Sequence, residues 1–243
     1  MPCTHRAMTL TLLTLVAFLA ACPSDPPPTD DDDDDSTTPA PPERLLFAFP
    51  VAEPWLINLV VGVDHDPVET DDSGLGIDCT NYDGVGFPFC YDGHDGSDFI
   101  LQGAFSQMDD GSAQVIAAAP GTVVSIEEDQ YDRCHISGTA VTCDGHPIIG
   151  NHVIIEHADG VRTKYWHLMT DSVQVEVGET VECGDFLALI GSSGNSSMPH
   201  LHFEVDLGEE GPVIDPYAGP ESQPESWWTE QDGPFDVPGS DCQ

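Results

Sequence analysis

Two short segments place histidine and aspartate side chains at spacings that suit a metal or a reacting centre. His200 and His202 flank Leu201 in a strand-like run, so their imidazoles are predicted to project from one face of a sheet. His94 and Asp98 lie four residues apart in a glycine-containing segment, which predicts a tight loop that turns both side chains inward. Imidazole and carboxylate groups bind divalent metals and transfer protons.

A third segment offers another histidine. Strand alternation over residues 161–168 predicts that Thr163, Tyr165 and His167 share one face. The three segments are distant in sequence, so a fold that brings them together would direct several polar groups from an apolar scaffold toward one centre.

The elements that must position these groups are predicted to be β-strands. Short runs rich in Val, Ile, Tyr and Phe alternate with Gly, Asp, Asn and Pro turns, and no window of adequate length has helical periodicity. We therefore expect an all-β fold with an antiparallel sandwich or barrel-like core, approached by a more irregular segment at residues 44–93. The predicted strand runs are 115–116, 123–126, 152–157, 161–168, 173–177, 186–190 and 201–205.

Net charge excludes several classes of partner. The 243 residues contain 5 Lys+Arg against 44 Asp+Glu, a formal net charge of −39 at pH 7. Clustered cations are needed to bind nucleic acid or to adhere to anionic lipid, so we expect neither activity. The 40% hydrophobic content is too high for a wholly disordered acidic chain.

The N-terminus has the features of an export signal. Arg6 precedes an apolar run at residues 8–21 that is too short to span a bilayer but suits the core of a signal peptide. The run ends in Leu-Ala-Ala-Cys, which resembles a bacterial lipobox, so we expect a signal peptide at 1–21 and lipidation of Cys22. The alternative is an ordinary secretory signal in which this cysteine is incidental.

A polar linker is predicted at residues 22–43. It is rich in Pro, Asp, Ser and Thr and contains six consecutive aspartates at 30–35, a composition typical of an extended, solvated spacer. Calcium binding by the aspartate run is the alternative. Pro23, rather than Asp, follows the predicted lipidation site and favours anchoring in the outer membrane over retention in the inner membrane.

Six further cysteines predict disulfides. The chain has eight Cys, of which Cys3 lies in the signal and Cys22 is the predicted lipid site. An even number of cysteines in an exported chain favours disulfides, and six allow fifteen pairings. Proximity favours Cys79–Cys90 and Cys134–Cys143, which leaves Cys183–Cys242. Free structural thiols are the alternative.

Taken together, the motifs resemble a known family in their order along the chain. They are His-x-x-x-Asp at 94–98, Tyr-Trp-His-Leu at 165–168, and Gly-Asn-Ser-Ser-Met-Pro-His-Leu-His-Phe-Glu at 194–204. Residues 118–123, 150–157 and 175–191 add support. Over about residues 90–217 the chain resembles the zinc metallopeptidases of the lysostaphin, LytM and β-lytic type, peptidase family M23.

The resemblance implies a role for each motif histidine. It implies Zn²⁺ bound by His94, Asp98 and His202, with His167 and His200 as catalytic histidines. Two neutral imidazoles and one carboxylate leave a coordination position open for water, as expected of a catalytic zinc site. It also implies a LytM-type core with long loops that form a groove.

Two neighbours of these residues have alternative interpretations. Glu204 shares the strand face of His202 and is a candidate for orienting an imidazole, or is simply exposed to solvent. Tyr165 is a candidate for positioning substrate, or is a packed strand aromatic. Five further histidines are interpreted as structural: His65, His135, His146, His152 and His157.

Parts of the chain depart from the family pattern or extend it. Residues 129–147 are predicted to be an insertion that narrows or caps the groove, and the acidity is unusual for a cell-wall hydrolase. Trp227 and Trp228 are predicted to cover the edge of the core, with a role in a binding groove as the alternative. We expect an N-terminal extension at 44–89 packed on a peptidase domain at 90–219, followed by an acidic tail at 220–243.

The function predicted from the sequence is a zinc-dependent endopeptidase that hydrolyses peptide bonds of peptidoglycan. We expect it to be exported and attached to the outer membrane by an N-terminal lipid. The alternatives are a non-catalytic LytM-type activator of cell-wall amidases, a secreted protease that acts on proteins, and a surface interaction module with structural zinc. Activators usually lack one of the His/Asp set, whereas this chain retains all five residues.

Overall fold

The computed structural model describes residues 44–68, 76–233 and 235–243. The predicted signal peptide at 1–21, the lipidation site Cys22 and the linker at 22–43 lie outside the described residues. None of the helices among the described residues has both the length and the apolar composition needed to cross a bilayer.

Antiparallel strands dominate the described chain, which confirms the all-β prediction. The main sheet has eight strands in the order β1-β2-β11-β8-β7-β4-β9, with β12 paired to β11. Two-stranded sheets are formed by β10 with β3 and by β5 with β6. The strands are β1 Ile57–Val61, β2 Ser97–Leu101, β3 Gln114–Ile116, β4 Gly121–Glu127, β5 His135–Ser137, β6 Ala140–Thr142, β7 His152–Glu156, β8 Arg162–Trp166, β9 Thr180–Val181, β10 Phe186–Leu189, β11 His200–Asp206 and β12 Val213–Ile214.

Strand β11 lies between β2 and β8 and contributes to both the core and the histidine-bearing face. Leu201 and Phe203 are fully buried in the hydrophobic core. Alternation directs His200 and His202 to the opposite face, as predicted. In the register of the sheet, His202 pairs with Asp98 on β2 and with Trp166 on β8.

Three local elements differ from the sequence prediction. Residues 173–177 form no strand because their backbone bonds go to separate partners: Val173 N–H donates to the Glu128 carboxylate and Gln174 N–H to Leu187 O. A helix, α1, spans Ala104–Asp109 and is too short to produce a detectable apolar stripe. The segment expected to be irregular contains β1, which forms an edge of the main sheet.

All three predicted disulfides are present. Cys79 bonds to Cys90, Cys134 to Cys143, and Cys183 to Cys242. The first two close short loops, and the third ties the C-terminal segment to the strand-bearing part of the chain.

Aromatic residues from both ends of the described chain pack on the core. Phe47 stacks on Trp227 with ring centroids 6.1 Å apart and meets Phe203 edge-on at 6.0 Å. Trp228 is 2% exposed and also contacts Phe203. The two tryptophans therefore cover the core, and neither lines the cleft described below.

Candidate metal centre

Three side chains converge on one point on the polar face of β11. Asp98 Oδ1 lies 2.9 Å from His202 Nδ1 and 3.1 Å from His94 Nε2, and the two nitrogens are 3.2 Å apart. Tetrahedral zinc with bonds of about 2.0 Å has ligand–ligand edges of about 3.3 Å, so the three atoms are spaced as ligands of one ion. The three residues predicted to bind metal thus form one cluster.

A glycine allows the 94–98 segment to approach β11. A Cβ on Gly96 would lie 2.5 Å from His202 Nε2 and 2.9 Å from Phe203 O, so any larger residue would displace the segment or the imidazole. The predicted loop is shorter than expected, because β2 begins at Ser97 and already includes Asp98.

A hydrogen bond to the backbone orients the ring of the predicted ligand His94. Its Nδ1–H donates to Gly62 O at 2.7 Å, so the lone pair of Nε2 points at Asp98 and His202. The ring is 2% exposed and stacks on Tyr91 with centroids 4.1 Å apart. Tyr91 was not identified from the sequence as a neighbour of the site. The one sequence feature that could have indicated it is its position three residues before the His-x-x-x-Asp motif.

A carboxylate lies behind the second imidazole. Glu204 Oε2 is 3.6 Å from His202 Nε2, and Lys164 Nζ lies 2.5 Å from Glu204 Oε1 and 2.6 Å from Asp206 Oδ2. The Glu204 side chain is only 12% exposed, which favours its orienting role over the solvent-exposed alternative.

The cluster stabilises positive charge at its centre. Burial alone would lower the pKa of His202, but the carboxylates of Asp98 and Glu204 outweigh it and raise the pKa to about 9. Burial would raise the pKa of Asp98, yet His200 and His94 hold it well below its usual range. Both directions follow from a site that accommodates a cation.

His167 reaches the same centre by a backbone turn. Its φ of 64° lies in the left-handed region and breaks the alternation of β8. Its ring therefore lies 4.7 Å from that of His200, on the side of Trp166, whereas Tyr165 and Thr163 face the core. The predicted shared face of Thr163, Tyr165 and His167 is wrong for this reason.

Backbone carbonyls fix the rings of the two predicted catalytic histidines. His167 Nδ1–H donates to Ser193 O at 2.6 Å, and His200 Nδ1–H donates to Met198 O at 2.7 Å. In each ring Nε2 is left to face the site, and that of His200 lies 3.4 Å from Asp98 Oδ1. Burial, with His200 and His202 nearby, holds the pKa of His167 well below its usual range.

Tyr165 has a structural role. The side chain is fully buried, and its hydroxyl accepts a hydrogen bond from the Ala118 N–H at 2.9 Å. The substrate-positioning alternative would require access to the cleft, which this side chain lacks.

A cleft of about 490 Å³ opens over the predicted metal-binding cluster of His94, Asp98 and His202. The predicted catalytic histidine His167 and the predicted ligands His94 and His202 reach its surface, whereas Asp98 and His200 are absent from its lining. The lining residues are Tyr91, Asp92, Gly93, His94, Asp95, Ile148, Gly150, Trp166, His167, Asn195, His202 and Glu204.

The cluster lies within a stretch of the chain that matches the sequence model of a known protein family. The model of Peptidase family M23 matches residues 94–216, which begin at His94 and include all five predicted site residues.

Curated relatives match over shorter stretches. The peptidoglycan DD-endopeptidase ShyB of Vibrio cholerae is 41% identical over 68 residues, which cover 28% of this chain and 16% of that protein. The murein hydrolase activator EnvC of Escherichia coli is 32% identical over 96 residues, covering 40% of this chain and 22% of that protein. The matches therefore span less than a quarter of either relative.

Solved structures include a crystal structure of a zinc-containing peptidase from Vibrio cholerae. It is 24% identical to this chain with a TM-score of 0.45, covering 71% of this chain and 39% of that one.

Proposed function

Because the chain belongs to peptidase family M23, we propose that it is a zinc-dependent endopeptidase that hydrolyses peptide bonds of peptidoglycan. Stem-peptide crosslinks are the first candidate substrate, followed by glycine-rich bridges. The resemblance to a DD-endopeptidase over 68 residues supports this substrate class.

The convergence of three potential metal-ligating atoms carries the proposal. The ring nitrogens of His94 and His202 and one oxygen of Asp98 lie 2.9–3.2 Å from one another. Lone pairs this close repel unless a proton or a metal ion lies between them, and the donor set is one that zinc prefers. Bound there, zinc would polarise a substrate carbonyl and lower the pKa of a water molecule.

His167 and His200 are proposed to handle protons and charge. Each has its Nδ1–H committed to a backbone carbonyl, so Nε2 is the atom that accepts a proton or donates one to the leaving amine. A protonated Nε2 beside the scissile carbonyl would also stabilise the negative charge that develops on its oxygen.

Export and lipid attachment complete the proposal. Peptidoglycan lies outside the cytoplasm, and three disulfides suit an oxidising compartment. We propose cleavage of the signal at 1–21 and attachment to the outer membrane through Cys22.

A second candidate function is activation of cell-wall amidases. The similarity to a murein hydrolase activator favours it. The complete donor set argues against it, since an activator needs no metal. A secreted protease acting on proteins uses the same centre and differs only in substrate.

Digestion of purified sacculi tests the proposal. We expect hydrolysis by the zinc-loaded chain and none after chelation or in His202→Ala. Equal activity in all three samples would exclude a metallopeptidase. Zinc content separates the candidate functions. We expect about one zinc per chain in the parent protein and in the variants His167→Ala and His200→Ala, and hydrolysis of sacculi by the parent only. An activator would bind no stoichiometric zinc.

A further inference from the structure

A second cleft, of about 390 Å³, meets the first at the metal-binding cluster. Tyr91 lines both clefts, and Asp98, the buried predicted ligand, forms part of the second. A peptide whose scissile bond lies over the cluster would therefore place a neighbouring side chain at this second cleft. The lining residues are Leu59, Val61, Phe87, Pro88, Cys90, Tyr91, Asp98, Ile100, Ile136, Ser197 and Met198.

This cleft is apolar in a strongly acidic protein. Among the described residues, Asp98 is the only charged residue in its lining. Three rim residues leave large apolar side chains exposed to solvent: Phe87 at 58%, Ile136 at 51% and Met198 at 39%. Contiguous exposed apolar surface is uncommon on soluble proteins and marks binding sites.

No basic group of the described chain is available to bind an anionic substrate there. Each of its four Arg and Lys side chains lies near a carboxylate. The pairs are Arg44–Glu225, Arg133–Asp109, Arg162–Glu156 and Lys164–Asp206. A negatively charged side chain entering the cleft would lose its hydration without gaining a partner, and the Asp98 carboxylate, which could attract a cation, already contacts His94 and His202.

Both walls of the cleft are held in place. Ile136 lies on the β5–β6 hairpin, whose base carries the Cys134–Cys143 disulfide and whose Ile136 N–H donates to Ser197 O at 3.1 Å. The opposite wall, at Phe87, lies in the loop closed by Cys79–Cys90. The predicted insertion at 129–147 therefore forms one side of the groove, and the binding surface exists before a ligand arrives.

We propose that the second cleft is a substrate subsite for a bulky, uncharged apolar side chain adjacent to the cleaved bond. This inference rests on the proposed peptidase function, and it favours the alternative of protein substrates over glycine-rich bridges, which have no side chain to fill the cleft. An alanine methyl would leave most of the cleft unfilled, whereas leucine or phenylalanine would bury the apolar walls. The preferred substrate is a peptide with such a residue beside the scissile bond.

Peptides that differ at one residue test the subsite. A set of fluorescein-labelled peptides would carry Leu, Ala or Asp at each position in turn of an otherwise Gly/Ala sequence. We expect the full chain to prefer Leu over Asp by about tenfold or more at one position, in kcat/KM of the zinc-loaded protein and in binding to chelator-treated protein by anisotropy.

Substitution of Ile136 assigns the preference to this cleft. Ile136→Asp is expected to bring kcat/KM and binding of the Leu peptide to within about threefold of the uncharged Ala peptide, and Ile136→Leu to retain the preference for Leu. Val177→Asp is the matched control, since Val177 is a 62% exposed aliphatic residue that lines neither cleft. Equal binding of all peptides, or a preference that survives in Ile136→Asp, would overturn the inference.

The outcomes separate the subsite from the proposed function. Zinc-dependent hydrolysis of sacculi without any peptide preference would overturn the subsite alone. A Leu preference in binding that depends on Ile136, without hydrolysis of sacculi or of any peptide, would overturn the peptidase function alone. A third outcome is that the parent chain self-associates, that Ile136→Asp abolishes this association, and that no peptide is preferred. This outcome would assign the surface to binding of a second copy of the chain and overturn the subsite.

Discussion

The Nδ1–H of His94 donates its hydrogen bond to the carbonyl oxygen of Gly62, which follows β1 directly. Gly62 lies outside the residues that match the family model. The N-terminal segment of the described chain therefore orients the first predicted ligand, and it holds the loop before that ligand through Asp64.

Replacement of Asp64 by Ala is expected to weaken zinc binding. Its carboxylate accepts the N–H groups of Gly93 and Thr80, each at 3.0 Å, and so fixes the residue before His94. Loss of such a supporting contact lowers metal affinity by about 10–100-fold. Competition with a chromophoric chelator measures the affinity. Asp66→Ala is the control, because the Asp66 carboxylate accepts Val68 N–H instead, and equal affinities in both variants would contradict the role of Asp64.

A methyl group at position 96 is expected to disrupt the metal centre. The Cβ of Gly96→Ala would lie 2.6 Å from His202 Cε1 and 2.9 Å from the backbone oxygen of Phe203, and the backbone cannot move without shifting β11. We expect zinc content after dialysis to fall well below one per chain, while far-UV circular dichroism retains the sheet spectrum. Full zinc occupancy in the variant would contradict this packing.

Neutralising Glu204 is expected to affect the metal and leave the fold intact. Glu204→Gln keeps the shape but removes the charge that faces His202 Nε2, so we expect about tenfold weaker zinc binding. Glu156→Gln is the matched control, since Glu156 also lies on a strand and pairs with Arg162. The same loss of affinity in both variants would indicate a general charge effect and not the orientation of His202.

Acid is expected to destabilise the protein through His157. Burial lowers its pKa in the folded state; Nδ1–H donates to Pro120 O at 2.8 Å, and Nε2 lies 2.8 Å from the Thr163 hydroxyl. Below the unfolded pKa of about 6.5, the unfolded chain binds a proton that the folded chain does not, so this contribution to stability is lost as pH falls.

Chemical denaturation at pH 7.5 and at pH 5 measures this effect. The side chain of the variant His157→Gln cannot take up a proton. The free energy of unfolding of this variant should therefore fall less than that of the parent between the two pH values, by up to about 1.4 kcal/mol for each pH unit below 6.5. An unchanged difference between the two pH values would show that the destabilisation arises elsewhere.

Period-two alternation explains why the polar face of β11 could be predicted. Strand geometry requires that His200 and His202 face one side once Leu201 faces the other, and all three behave accordingly. The disulfides were predictable because the loops that two of them close are short. Both inferences depend on local geometry.

The parts that sequence reasoning missed depend on tertiary contacts. The left-handed φ of His167 moves its ring from the core face to the cleft, and no glycine or asparagine marks the turn. Likewise, Asp64 and Tyr91 act on His94 through a loop and a ring stack whose partners lie outside any recognised motif. The spacing of residues along the sequence does not reveal such tertiary contacts.

Core residues and the histidines of the candidate site alternate along strand β11, so a change in the register of the strand would move both sets of side chains. A slip of one position would send Leu201 and Phe203 into water and drive the two imidazoles into a hydrocarbon interior. We therefore expect deletion or insertion of a single residue within 200–206 to disrupt the predicted metal site and the fold together, and we expect metal uptake during refolding to report when this strand has paired with its neighbours.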